Sequence, residues 1–256
     1  MAKSMKSFHS LLFILISSLS VISQNATPWK KYSYTTHEWQ YCLDSLIEID
    51  PSNAYLWQQK AMPYFKNGDY YNGMKNLNRA VELDTARWLG YKGFMECIFV
   101  RDYKNAIIDF MAIAKKQPNA FEMDHSYYFY IGVSYLKLNT LDSAEKYLKI
   151  CISKPEEKTH YMDWYYAGVL KLKQKKYLKA LINFNKCLDK YPNLSDANFY
   201  KAKTLLSLHR ISEAYNCLLK AQNENKTGYS LNEDNMVYVN YPFQVQLEQI
   251  EHLLKK

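Results

Sequence analysis

Glycine and proline are scarce, with seven of each in 256 residues. All-β folds and phosphate-cradling loops depend on that turn punctuation, so both are disfavoured. Beyond residue 23 no apolar run approaches the ~20 residues that a membrane-crossing helix needs. Catalytic signatures are missing too: there is no G-x-S-x-G, no phosphate loop and no dinucleotide fingerprint. The six histidines are isolated, and neither H-x-x-x-H nor C-x-x-C spacing occurs. His125 and His160 each precede an expected helix, where capping and loop roles are commoner than a metal pair. The carboxylate neighbours Glu156-Glu157 and Glu233-Asp234 fall in polar connectors, where solvation is the default. These absences argue against an enzyme, and no cofactor or metal is expected.

Cysteine is present but sends no disulfide signal. Cys42, Cys97, Cys151, Cys187 and Cys217 are widely spaced, odd in number, and each sits inside an apolar helical pattern. Buried cysteine packs as a small hydrophobe, and that is the role expected here.

What the chain does have is tyrosine, 24 of them, within an ordinary balance of 48% hydrophobic and 23% charged residues. The first 23 residues read as a secretory signal. Lys3 and Lys6 form a basic start, and Leu11 to Ile16 with Leu19 to Ile22 form a short, serine-broken apolar run. Cleavage is expected between Ser23 and Gln24, leaving no transmembrane segment and 31 basic against 25 acidic residues. Cys42 lies too far in to carry a lipid anchor. The cationic run Lys171 to Lys179 falls at a turn, so with export it reads as a solvated edge, and no nucleic acid is expected. Export places the chain in the periplasm or on the envelope, with secretion as the alternative. On a eukaryotic route Asn25, Asn193 and Asn225 would be sugar acceptors by their N-x-[ST] spacing.

Self-similarity gives the architecture. Small residues recur at Gly73, Ala106, Ala144, Ala180 and Ala214, separated by 33, 38, 36 and 34 positions. Four residues after each come Leu77, Phe110, Leu148, Phe184 and Leu218. Twelve before come Ala61, Gly132, Gly168 and Ala202, with Trp57, Tyr128 and Trp164 four further upstream. Spacings of 3, 4 and 7 place residues on one helix face. Small residues let paired helices approach closely, and turns such as Lys66 to Tyr70 and Lys137 to Leu141 join antiparallel partners. In the second unit Gly93 stands one place off the pattern.

This pattern resembles the tetratricopeptide repeat over Thr36 to about Ala221. The resemblance implies an all-α, right-handed solenoid of five helix–turn–helix units, stacked because one pair cannot cover its own apolar faces. The expected organisation is a signal at 1–23, a flexible segment at 24–35, and the solenoid at 36–222. The solenoid includes an N-terminal cap helix; a linker at 223–241 and a C-terminal capping helix at 242–256 follow, with Pro242 in that helix's first turn.

By the same resemblance the first helices line a concave face. Carried over by position, that face comprises Tyr55, Gln58, Met62 and Phe65, then Tyr91 and Met95, Phe129 and Val133, Met162 and Tyr165, and Phe199 and Lys203. The lysine by which some members clamp a terminal carboxylate is replaced by Gln58, Phe129, Tyr165 and Phe199. Such aromatic residues fit two roles: anchors for a peptide or helix, or packing against one another and the caps. The expectation is a non-catalytic scaffold binding a protein or peptide there. The alternatives are a structural envelope subunit using its convex face or caps, and a carbohydrate-associated accessory protein. The partner and the oligomeric state have no sequence signature.

Overall fold

The computed structural model describes residues 27–231 and 237–255. The expected signal at 1–23 lies outside the described residues. A 3-10 turn, Pro28–Lys31, leads into α1 (His37–Ile49). Five helix pairs follow: α2 (Ala54–Lys66) with α3 (Tyr70–Leu83), α4 (Thr85–Met95) with α5 (Tyr103–Lys116), and α6 (Tyr127–Lys137) with α7 (Leu141–Ile152). Then come α8 (Tyr161–Lys173) with α9 (Tyr177–Lys190), α10 (Ser195–Ser207) with α11 (Ile211–Lys226), and a last helix α12 (Leu247–Leu254). Each helix packs chiefly on its sequence neighbours, and the first helices of adjacent units also touch along one face. The fold is an all-α helical-repeat solenoid. The cap α1 covers one end on Leu43 and Ile47, and α12 covers the other on Ile250.

The small residues do the work their spacing implies. A Cβ at Gly132 would lie 2.8 Å from Leu148, and one at Gly168 only 2.5 Å from Phe184. In the second unit Gly93 holds this position, since its Cβ would lie 2.9 Å from the Phe110 ring. The displacement by one residue has a structural cause. A π-helical turn, Glu96–Val100, extends α4 and absorbs one extra residue before α5.

All five intra-unit turns use one geometry. Gly68, Arg101, Asn139, Lys175 and His209 each stand five places before the repeat's small residue, with φ of 78°, 63°, 59°, 58° and 59°. Only glycine occupies that left-handed region without steric cost. Lys175→Gly is therefore expected to stabilise the chain by about 0.5–1 kcal/mol, and Gly68→Ala to cost about 1 kcal/mol. Urea unfolding of both variants beside the wild type checks this. Where the following residue is aspartate, it also caps: Asp69 and Asp102 accept from the backbone N–H of Asn72 and Asn105.

The longest spacing, from Ala106 to Ala144, accommodates a small hairpin. Phe121–Glu122 (β1) pairs antiparallel with His125–Ser126 (β2) around Met123 and Asp124, both at positive φ.

The C-terminal region departs from expectation. Helix α11 continues to Lys226, into the expected linker, and α12 starts at Leu247 rather than at Pro242. Gln246 caps α12, with reciprocal side-chain bonds to and from Gln249. Pro242 to Val245 instead runs non-helical beside the first helices.

Candidate functional site

The twelve residues expected on the concave face fall into three groups. Tyr55, Gln58, Met62 and Tyr91 converge at the N-terminal end on an open pocket of about 440 Å³. Phe199 and Lys203 line a pocket of about 520 Å³ against α12, and Lys203 also borders one of about 350 Å³ beside Phe243. The other six reach none of these pockets and are buried, as Gln58, Tyr91 and Phe199 largely are too. Phe65 turns into its own unit, its ring filling the space that Gly73 leaves, and Met95 is fully enclosed in the core. Phe129, Val133, Met162 and Tyr165 belong to a buried cluster that includes Leu231 and Val239 from the C-terminal region.

That cluster reveals what covers the middle of the concave face. The segment Val237 to Val245, here called the strap, lies across it. The Tyr166 hydroxyl donates to the Pro242 carbonyl at 2.8 Å, and the Tyr165 hydroxyl donates to the next carbonyl, Phe243, at 2.7 Å. The Phe243 ring lies edge-on to Tyr166 and takes two cations on its face, Lys137 at 4.9 Å and Lys173 at 5.8 Å. At the far end Tyr238 meets Tyr34 hydroxyl to hydroxyl, and Lys66 sits over both rings. Lys66, Lys137 and Lys173 occupy one repeat position, seven residues before the small residue of their units. Burial explains the consequence for α8: nine consecutive residues, Met162 to Leu170, are buried. A first helix facing an open trough would keep a wet stripe instead.

Both ends of the strap region close on one side chain. Asp196, at the start of α10 and fully buried, accepts from the backbone N–H of Leu231 at 2.8 Å and of Val245 at 2.5 Å. Burial pushes its carboxyl up to about 7, against the pull of those two donors. Burial likewise raises the Tyr165 and Tyr166 phenols well above the usual range, so both stay hydroxyl donors at every physiological pH.

The N-terminal pocket has a different character. Tyr55 stacks near Trp88 at 6.4 Å, and the Arg87 guanidinium lies over the Trp88 ring at 4.4 Å. The Tyr91 hydroxyl donates to the Met62 sulfur at 2.7 Å. Glu122, from the hairpin, is raised by burial while Arg87 opposes the shift. The pocket thus combines an apolar aromatic wall with a basic rim and one carboxyl.

Sequence reasoning missed Trp88, Lys66, Glu122 and the whole strap. The aligned lysines at 66, 137 and 173 were a usable signal, as were the three aromatic residues clustered in "VYVNYPF". His125 and His160 do meet, edge to face with centroids 4.7 Å apart, and burial holds His125 down to about 3. No group of three or more possible metal ligands occurs among the described residues. Cys97, Cys151 and Cys187 are buried, and burial lifts the first two thiols to about 12. No helix among the described residues is long and apolar enough to cross a membrane.

Paired helices with close-packed small residues and a concave face define a helical-repeat solenoid. Within it, residues 164–194 match the tetratricopeptide repeat family. The solved structure of MamA from residue 41 to the end, from Desulfovibrio magneticus RS-1, superposes with a TM-score of 0.57 at 16% identity, over 68% of this chain and 96% of that one. PilW, a widely conserved type IV pilus biogenesis factor, gives 0.62 at 16% identity over 82% and 94%. YrrB, a repeat protein with an unusual peptide-binding site, gives 0.52 at 18% identity over 77% and 95%. At such identities the likeness concerns the fold. No curated protein matches the sequence.

Proposed function

We propose that the protein is a non-catalytic scaffold that binds a peptide or protein segment on its concave face, at the end formed by the first two units. One observation carries this reading: Tyr55, Gln58, Met62 and Tyr91 meet in an open, aromatic-walled pocket that no part of the described chain fills. Large rigid rings bury much area at low entropic cost, which makes them good anchors for an apolar side chain. Arg87 and Lys66 at the rim favour a carboxylate beside that anchor. The peptide-binding site of YrrB, on the same fold, is in keeping with this use. Export to the periplasm or envelope rests on residues 1–23 and belongs to the same proposal.

The convex-face alternative also has an observation behind it. Ile211, Tyr215 and Leu219 form an exposed apolar stripe on α11, and Leu178 with Ile182 another on α9.

Affinity capture separates the two readings. The expected result is that Tyr55→Ala/Arg87→Ala, with unchanged helicity and melting, loses the captured partner by at least about tenfold. A partner retained by that variant but lost on Ile211→Ser/Tyr215→Ser would move the site to the convex face.

A further inference from the structure

The strap is held in the way a bound peptide is held. Its contacts read consecutive backbone carbonyls, through Tyr166 and Tyr165, and one aromatic ring, through two lysines. Nothing in that recognition requires the segment to be covalently part of the chain. The strap also fails to fill the groove. Beyond its Phe243 end lies a pocket of about 350 Å³, and beyond Tyr238 lies the open pocket of about 440 Å³. An extended peptide longer than the strap can therefore gain contacts at either end before it displaces anything.

We propose that the strap is a displaceable occupant of a peptide site, and that the site's ligand in trans is an extended segment with an aromatic–proline–aromatic core like Tyr241-Pro242-Phe243. The ligand's two carbonyls after the first aromatic residue accept from Tyr166 and Tyr165, and its second aromatic ring lies between Lys137 and Lys173. Tyr34, Tyr238 and Lys66 form the latch that an incoming chain opens from the N-terminal pocket. Displacement opens the bond from the Val245 amide to Asp196 while the one from Leu231 holds, so the freed strap remains tethered and recloses when the ligand leaves. The inference rests on the concave-face reading and adds the chemistry of the segment recognised.

The test uses the intact chain and a fluorescein-labelled peptide of residues 237–245, VYVNYPFQV, with a scrambled control, read by anisotropy. Tyr241→Ala/Phe243→Ala weakens the strap in cis and is expected to bind the peptide at least about tenfold more tightly than wild type. Adding Tyr165→Phe/Tyr166→Phe removes both donors and is expected to weaken that binding by about tenfold. No binding by the helical strap variant, or equal binding of the scrambled peptide, would overturn the proposal. So would a variant that dimerises without binding peptide, which would point to strap exchange between two copies. Should the strap variant lose helicity, hydrogen exchange in the wild type decides. Excess peptide is expected to accelerate exchange at the Val245 amide, and an unchanged rate would sink the idea. Loss of a partner by Tyr55→Ala/Arg87→Ala is read separately, so the pocket can stand if the strap proposal fails.

Discussion

Gly168→Val is expected to unfold the centre of the solenoid, lowering stability by about 3 kcal/mol or more. The reason is local and geometric. Even a Cβ at this position would lie 2.5 Å from the Phe184 ring, and both residues sit where α8 and α9 cross. Phe184 has nowhere to go, since it is fully buried between Tyr165 and Tyr200. Gly168→Ala is milder, because alanine recovers about 1 kcal/mol of helix propensity against the same clash. Trimming the opposing ring should relieve the overlap, so Gly168→Ala/Phe184→Leu is expected to be more stable than the sum of its single changes allows. Urea unfolding of the four proteins measures that coupling. Additive losses would mean that the two helices do not meet at this residue pair.

A fall in stability between pH 5 and pH 8 is the second large effect, with Asp196 as one of its sources. Burial raises its carboxyl from 3.8 to about 7, so the folded chain holds this proton where the unfolded chain has released it. Stability from this group is therefore fullest below about pH 4 and declines as pH rises to about 7. The span is worth a few kcal/mol, with about 4 as its ceiling. Glu96, raised to about 7, and Asp163, raised to about 6, act in the same direction, each chiefly through burial. Glu145 acts oppositely but elsewhere: bonds from Lys171 and Gln174 hold it down to about 2, so its contribution is lost only in stronger acid. Asp196→Asn is expected to shrink the difference between pH 5 and pH 8 by about 1–3 kcal/mol in urea titrations. An unaltered difference would show that Asp196 ionises with ordinary ease, and so that the strap does not bury it.

The repeat was legible because its physics is local. A small residue facing a large one sixteen places later marks a helix crossing, and Gly132 with Leu148 or Gly168 with Phe184 shows it on sight. The one-residue slip at Gly93 was visible too, but its π-helical cause was not, because no residue type in Glu96–Val100 demands that geometry. Burial of the first helices was the larger surprise. Tyr165 and Phe129 have the side chains of an open aromatic trough, and nothing in α6 or α8 states that another segment lies over them. That information sits some 80 residues away, in a stretch without repeat partners. Pro242 there looks like a helix start, while the real start is the Gln246–Gln249 cap. Long-range cover of this kind leaves only indirect traces, such as three aligned lysines and the aromatic cluster Tyr238, Tyr241 and Phe243.

Residue-resolved hydrogen exchange on the intact chain tests the central claim, that the strap occupies the middle of the concave face. The Leu231 and Val245 amides, both bonded to buried Asp196, are expected to exchange at least about a hundredfold more slowly than an unstructured peptide. Exchange of both amides at unstructured rates, with the amides of α8 and α10 still protected, would contradict the account and leave the groove open along its whole length.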